Sequence, residues 1–199
     1  AAVKALDVRQ IGGCGQVAVD GDFGPHTAAL LEPYTDRPDT CGVLNYSDAE
    51  LEGYVEAAHV AGLQVALHCV GSGAIEQLLN AYERVLERHP RDDHRHRLEH
   101  FELPAAGQAE RARRLGVLLA LQPSFNHFWH HDHEYPSVVG VERASRVDPV
   151  RNVLAAGVVP AFGSDSPVTP IRPIAFHRFW RVGVVAKFLE GRIRDRLGV

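Results

Sequence analysis

The sequence predicts an α/β fold built around a parallel sheet. Short apolar runs rich in β-branched residues alternate with longer segments of helical period, and glycine, proline or polar residues follow each run. This alternation is typical of strands joined by crossover helices. The length of 199 residues allows a single domain with a sizeable core, but a complete eight-stranded α/β barrel typically needs ~250 residues. We therefore expect one α/β domain over residues 1–199, which is shorter than such a complete barrel.

The apolar runs define five predicted strands, and the segments of helical period between them define four helices. The strands are Gln16–Asp20, Leu63–Cys69, Arg97–Phe101, Val117–Gln122 and Val158–Gly163. The helices are Asp48–Ala61, Gly73–His89, Ala106–Leu115 and Asp148–Ala156. The first helix follows Ser47, and Glu50 lies three residues further on, which is the spacing of a capping box.

Two connections, Gly21–Ser47 and Pro123–Val147, are too long for simple turns. Loops of this length often cover an active site. The last segment, Phe176–Val199, has arginines interspersed with apolar residues and predicts a C-terminal amphipathic helix over residues 176–199.

Composition excludes several classes of protein. The chain is 45% hydrophobic and 23% charged with a net charge of -4, and it has no apolar run near the ~20 residues of a membrane span. Neither nucleic acid nor a membrane is an expected partner. The scattered cysteines Cys14, Cys41 and Cys69 indicate reduced thiols and a cytoplasmic protein. The chain has no methionine and no signal-peptide pattern, so we expect its start to be a truncation.

Three candidate metal-site residues lie where predicted strands end. His68 ends one apolar strand, His100 ends the next, and Asp165 follows the last. Barrel enzymes place reacting groups at the carboxyl ends of strands, and imidazole and carboxylate groups are suitable zinc ligands. Any one of these residues alone would more often be a core histidine or a capping aspartate. Their shared position on successive units favours a metal site.

Several segments of the chain together carry a family resemblance. They are Val19–Gly24, Thr27–Tyr34, Ala61–His68, His94–His100, Ala155–Val158 and Gly163–Val168. These segments resemble the amidohydrolase superfamily, specifically the YtcJ-like amidohydrolases of the amidohydrolase 3 family. The resemblance covers most of the chain.

This resemblance implies a partial TIM-type (β/α)8 barrel with strands 4 to 8 present and the first strands missing. It implies that His68 and His100 are the metal histidines after the fifth and sixth strands, and that Asp165 is the aspartate after the eighth. In the family this aspartate takes a proton from a metal-bound water, which attacks an amide or related carbonyl. The implied function is hydrolysis of a non-peptide C–N bond in a small-molecule amide-type substrate.

The sequence departs from the family pattern at two places. The family has a His-x-His pair after its first strand, but here His94-Arg-His96 and His131-Asp-His133 do not follow apolar strands and are interpreted as decoys. A lysine that can bridge two metals is replaced by Gln16. A mononuclear site is therefore expected, unless Gln16 is a solvated residue with no role. Zinc is the first expectation for the metal, and iron, nickel and manganese stay open.

Two further histidines are candidate substrate contacts. His127 lies in a loop rich in histidines and aromatics, which predicts a lid over the site, although an exposed loop without a role is the alternative. His26 follows the fourth-strand match and could also face the site.

A second function class remains open beside the hydrolase. The chain could be a non-catalytic remnant that binds metal or serves as an assembly piece. Missing strands would leave sheet edges unpaired, and unpaired edges promote self-association. A homodimer is therefore an expected assembly.

Overall fold

A computed structural model describes residues 8–13, 17–130 and 134–171 of the chain. A parallel sheet of five strands forms its centre, in the order β1-β2-β3-β4-β5. The strands are β1 (Gln10–Gly13), β2 (Gln64–Gly71), β3 (Arg97–Leu103), β4 (Leu118–Leu121) and β5 (Ala161–Phe162). The predicted α/β class with a parallel sheet is confirmed, and the arrangement is consistent with part of a barrel.

Helices connect the strands. They are α1 (Asp48–Val60), α2 (Ser72–Arg88), α3 (Gln108–Arg114), α4 (Glu134–Val139), α5 (Val141–Ala144) and α6 (Val150–Ala155), together with a π-helical turn at Asn126–His130. The predicted capping box of α1 is confirmed, because Ser47 Oγ accepts the Glu50 N–H and the Glu50 carboxylate accepts the Ser47 N–H. The predicted helix over residues 176–199 lies outside the described residues.

Parallel pairing brings the carboxyl ends of neighbouring strands to one edge of the sheet. The registers include Gln10↔Gln64, Ala66↔Arg97, Arg97↔Leu118 and Ala120↔Ala161. His68 and His100 lie in the adjacent strands β2 and β3. The topology therefore places both histidines on the same part of the sheet.

The main core lies between the sheet and helix α2. On α2, the buried residues Ile75, Leu78, Leu79 and Tyr82 follow helical spacing and form one apolar face. Strand β2 is buried along most of its length, as expected of a parallel strand covered on both faces. Each fully buried large apolar side chain contributes about 1.5–3 kcal/mol of burial free energy. The apolar face of α2 thereby packs against the sheet that carries the histidines.

The predicted strand Gln16–Asp20 is wrong. The strand that pairs with β2 is β1, which begins six residues before the predicted strand. Residues 17–20 form a turn and bends. The Val19 N–H donates to the His68 carbonyl at 2.9 Å, so this segment lies beside the end of β2 without forming a ladder. The apolar residues of this segment, such as Val19, are buried beside the end of β2.

The predicted loop Pro123–Val147 is also wrong over much of its length. Short helices α4 and α5 form within it, because Tyr135 and Val139 turn their side chains into a second buried cluster.

Within the described part of the chain, no helix is long and apolar enough to cross a membrane.

Candidate metal centre

His68 lies in β2 and directs one ring nitrogen at the chain before α1. Its Nε2 lies 3.0 Å from the Gly21 carbonyl oxygen and 3.7 Å from Asp20 Oδ1. A carbonyl oxygen accepts hydrogen bonds and cannot donate them, so Nε2 carries the proton. Nδ1 of His68 is then the nitrogen with a lone pair available to a metal.

His100 lies beside His68. The two ring centroids are 4.4 Å apart in an edge-to-face arrangement, and Phe125 stacks on the His100 ring with centroids 5.8 Å apart. Burial, with a smaller contribution from His68, lowers the pKa of His100 from 6.5 to about 3. The imidazole is therefore neutral at physiological pH, which is the form that binds metals.

The backbone is irregular at this point of the sheet. His100 and Phe101 have φ values of 73° and 51°, in the left-handed region that non-glycine residues rarely adopt. The register between β2 and β3 shifts after the Cys69↔His100 pair, so β3 carries one extra residue before the next pair. Such bulges re-aim side chains and cluster at functional sites.

Asp20 is buried behind His68. Its carboxylate accepts the backbone N–H groups of Ala29, Val70 and Gly71 at 2.8–2.9 Å. Burial raises the pKa of Asp20 to about 6, and these hydrogen bonds oppose the rise. The carboxylate is therefore largely ionised at neutral pH.

A second buried carboxyl, Glu102, lies behind His100. Its Oε1 is 3.9 Å from His100 Nδ1, and its Oε2 accepts the Tyr135 hydroxyl at 2.9 Å. Burial raises the pKa of Glu102 well above its usual range, and Asp148 raises it further. Burial also raises the pKa of Asp148 to about 7. Each histidine of the pair thus has a buried carboxyl behind it.

Asp165 lies in the turn after β5. It is half-buried, its φ is 51°, and its carbonyl accepts the Val168 N–H at 2.8 Å. Over residues 8–13, 17–130 and 134–171, no group of three or more His, Cys, Asp or Glu side chains has the arrangement of a metal site. The structure therefore brings His68 and His100 together, and the role of Asp165 stays a prediction.

The two predicted substrate contacts have local partners. His26 Nε2 lies 2.9 Å from Asp36 Oδ2, and its ring packs edge-on against Tyr34. His127 lies in the π-helical turn, half-buried, with its ring against Phe128. Their contact with substrate stays a prediction.

The triplet His94-Arg-His96 directly precedes β3, whereas His100 lies within the strand. The His96 N–H donates to His94 Nδ1, and the Val65 N–H donates to His96 Nδ1. These nitrogens are held by the backbone, in agreement with their interpretation as decoys. Gln16 and the second triplet, residues 131–133, lie outside the described residues.

Sequence reasoning missed Asp20 and Glu102. Asp20 belongs to the Val19–Gly24 segment that carries part of the family resemblance, but its partners on β2 lie about 50 residues further along the chain. Glu102 follows His100 by two residues. The signal that could have identified it is an acidic residue close in sequence to a predicted ligand.

The residues present fit a divalent cation. Two imidazoles lie together on neighbouring strands, and His68 donates its Nε2–H to a backbone carbonyl. Metal-ligating histidines almost always donate their second N–H to a carbonyl or carboxylate. The pair thus has the donor chemistry and the supporting hydrogen bond of a metal site.

A parallel α/β sheet with paired histidines on adjacent strands is consistent with the class of metal-dependent hydrolases. Within that class the family is clear. The chain belongs to the amidohydrolase family, whose sequence model matches residues 9–180. The resemblance carried by the sequence segments is therefore confirmed.

Individual relatives agree with this assignment. The chain is 36% identical over 166 residues to the putative amidohydrolase YtcJ of Bacillus subtilis (strain 168), with 81% of this chain and 30% of that protein covered. It is 32% identical over 133 residues to the N-substituted formamide deformylase of Arthrobacter pascens, covering 64% of this chain and 23% of that protein. An uncharacterized metal-dependent hydrolase from Pyrococcus furiosus has a TM-score of 0.70 and 31% identity, covering 87% of this chain and 36% of the other. The chain thus spans about a third of these relatives or less, and the similarities support a hydrolase role.

Proposed function

We propose that this chain carries part of the metal site of a hydrolase that cleaves a C–N bond of an amide-type small molecule other than a peptide. One observation carries the proposal: His68 and His100, on adjacent parallel strands, have ring centroids 4.4 Å apart. The similarity to a formamide deformylase supports an amide bond as the target. We further propose a single zinc ion as the metal.

A divalent metal, when bound, supplies a Lewis acid that polarises the substrate carbonyl and acidifies water. His68 would hold it through Nδ1, because Nε2 is bonded to the Gly21 carbonyl. His100 would hold it as a neutral imidazole, since burial keeps its pKa at about 3.

Asp165 is proposed to complete the site as a ligand and as the base that accepts a proton from water during attack. The left-handed φ of 51° at Asp165 matches the strained backbone at His100, where φ is 73°. Strained conformations of non-glycine residues persist where function requires them. His127 and His26 are proposed to contact the substrate.

The test is zinc retention by the purified chain and by the double variant His68→Ala, His100→Ala. After incubation with zinc and dialysis, the wild type should retain about one equivalent and the double variant should lose it. The matched control is His89→Ala, which changes an exposed histidine directly after the last residue of α2. Equal retention in the wild type and the double variant would overturn the proposed ligands.

Hydrolysis is assayed on the same samples with a simple N-substituted formamide, by release of the amine. A second candidate function is metal binding without turnover, through the pair formed by His68 and His100. Zinc that depends on both histidines without any amine release would support that candidate.

A further inference from the structure

A buried aspartate organises the chain around His68. Asp20 Oδ1 lies 3.7 Å from His68 Nε2, and the carbonyl of the next residue, Gly21, lies 3.0 Å from the same nitrogen. We propose that Asp20 is a positioning residue that holds the Gly21 carbonyl against His68, keeps the proton on Nε2 and presents Nδ1 to the metal. This inference rests on the proposed function, because the metal is the one proposed there.

The anchor consists of three backbone N–H groups from two segments. Asp20 Oδ2 accepts from Ala29 and Gly71, each at 2.8 Å, and Oδ1 accepts from Val70 at 2.9 Å. Ala29 belongs to the loop that follows Asp20, whereas Val70 and Gly71 are the last residues of β2. The carboxylate therefore fastens its own turn to the end of the strand that carries the histidine.

The chemistry of the anchor requires a group that accepts hydrogen bonds and donates none. Asparagine offers one oxygen and one NH2 group, so at least one of the three N–H groups would face another donor. The close approach of the two segments also requires Gly71, since a Cβ at that position would lie 2.1 Å from the Ala29 carbonyl oxygen. Aspartate and glycine together make this junction possible.

The two oxygen atoms near His68 Nε2, one from the Gly21 carbonyl and one from the Asp20 carboxylate, both favour a proton on that nitrogen. If Nε2 were bare, its lone pair would face the Gly21 carbonyl and the Asp20 carboxylate, and both contacts would be repulsive. With the proton on Nε2, the carbonyl accepts it and the carboxylate stabilises it. Asp20 thus supplies a nearby negative charge and fixes the position of the acceptor, the Gly21 carbonyl.

The first experiment reads the tautomer of His68 in the metal-free chain by ¹⁵N-edited NMR. The wild type should show a protonated Nε2 and a bare Nδ1, and Asp20→Asn should lose this preference. Asp22→Asn is the matched control, because Asp22 is exposed and its carboxylate accepts the adjacent Phe23 N–H at 2.7 Å. A wild-type His68 with its proton on Nδ1 would overturn the inference without any variant.

The second experiment measures the Kd of zinc alone, by competition with a chromophoric chelator. Asp20→Asn should weaken binding about 10–100-fold, the usual effect of removing a group that orients a ligand. In the His68→Ala background the same change should have no effect, since Asp20 acts through His68. Weakening of equal size in both backgrounds would make Asp20 a direct ligand and refute the positioning role.

Circular dichroism and thermal melting show whether Asp20→Asn folds. If it does not, Asp20→Ser replaces it, because a hydroxyl accepts hydrogen bonds without adding an NH2 group. A folded variant with the wild-type tautomer and zinc Kd refutes the inference. Failure of the proposed function has a different signature, because zinc binding would then not depend on His68 while the tautomer experiment would still report on the Asp20 anchor.

Discussion

Acidification should destabilise the fold through His96. The Val65 N–H donates to His96 Nδ1 at 3.0 Å, so that nitrogen is an acceptor and the proton lies on Nε2. Nε2 then donates to His59 Nδ1 at 2.8 Å, and His59 Nε2 donates to the His89 carbonyl at 2.8 Å. The chain of donors and acceptors is complete with both rings neutral. A second proton on His96 would face the Val65 N–H.

The magnitude follows from the pKa of His96. Burial, followed by the effects of His94, His59 and Arg91, lowers this pKa from 6.5 to about 3. Below pH 6.5 the unfolded chain binds a proton that the folded chain rejects. The stabilisation is therefore complete above pH 6.5 and is lost as the pH falls from there toward 3. At pH 5 the loss from this residue is about 2 kcal/mol.

Buried carboxyls act in the opposite direction over the same range. Burial raises the pKa of Asp20 to about 6 and of Asp148 to about 7, so the folded state binds protons there before the unfolded state does. The pH dependence of the wild type is therefore a difference between opposing contributions. Comparison with a variant that cannot titrate at position 96 isolates the histidine.

The assay is urea unfolding at pH 7.5 and pH 5 of the wild type, His96→Gln and the control His89→Gln. Glutamine has an amide acceptor and donor but does not titrate. The His96→Gln variant loses the stacking of Tyr82, whose ring lies 5.0 Å away, and should be less stable at pH 7.5. Its deficit relative to wild type should shrink by about 2 kcal/mol at pH 5. A deficit that does not change with pH, or that changes equally in His89→Gln, would refute the argument.

Two further predictions concern single side chains, Asp165 in the turn after β5 and Tyr135 on helix α4. In the full-length protein, Asp165→Asn should lower kcat for amide hydrolysis about 10²–10⁴-fold. The melting temperature should change little, because asparagine adopts the left-handed φ of 51° about as readily as aspartate. Unchanged turnover would remove Asp165 from the mechanism. Tyr135→Phe should destabilise the fold by about 1–3 kcal/mol, since the buried Glu102 carboxyl loses its 2.9 Å hydrogen bond. Chemical denaturation measures this against Tyr54→Phe on helix α1, and equal small losses in both would contradict it.

Local patterns predicted the middle of the sheet well. The predicted strands Leu63–Cys69, Arg97–Phe101 and Val117–Gln122 overlap β2, β3 and β4, because buried parallel strands are nearly continuous apolar runs. Strand β1 was missed, since its sequence Gln-Ile-Gly-Gly has neither an apolar run nor alternation. Gly12 and Gly13 have φ values of 117° and 129°, a conformation that patterns of hydrophobicity do not encode.

The candidate site was predictable to the extent that its histidines follow apolar runs, although the strands continue three residues beyond each of them. His68 and His100 stand at the ends of apolar runs, and parallel pairing brings them together. The groups that orient them come from elsewhere in the chain. The Gly21 carbonyl contacts His68, which lies 47 residues further along the chain. No local pattern in a single sequence predicts a contact between residues so far apart.

The strand order has a consequence for how the chain folds. Every strand pairs with its neighbour in sequence, so each step of sheet formation closes one connection between consecutive strands. The entropy of loop closure grows slowly with length, so the longest of these closures, which pairs Gln10 with Gln64, costs little more than the shorter ones. The sheet can therefore grow by addition of one strand and its helix at a time, in the direction in which a ribosome releases the chain. Hydrogen bonds between β2 and β3, at the interior of the order, would then be the last to open.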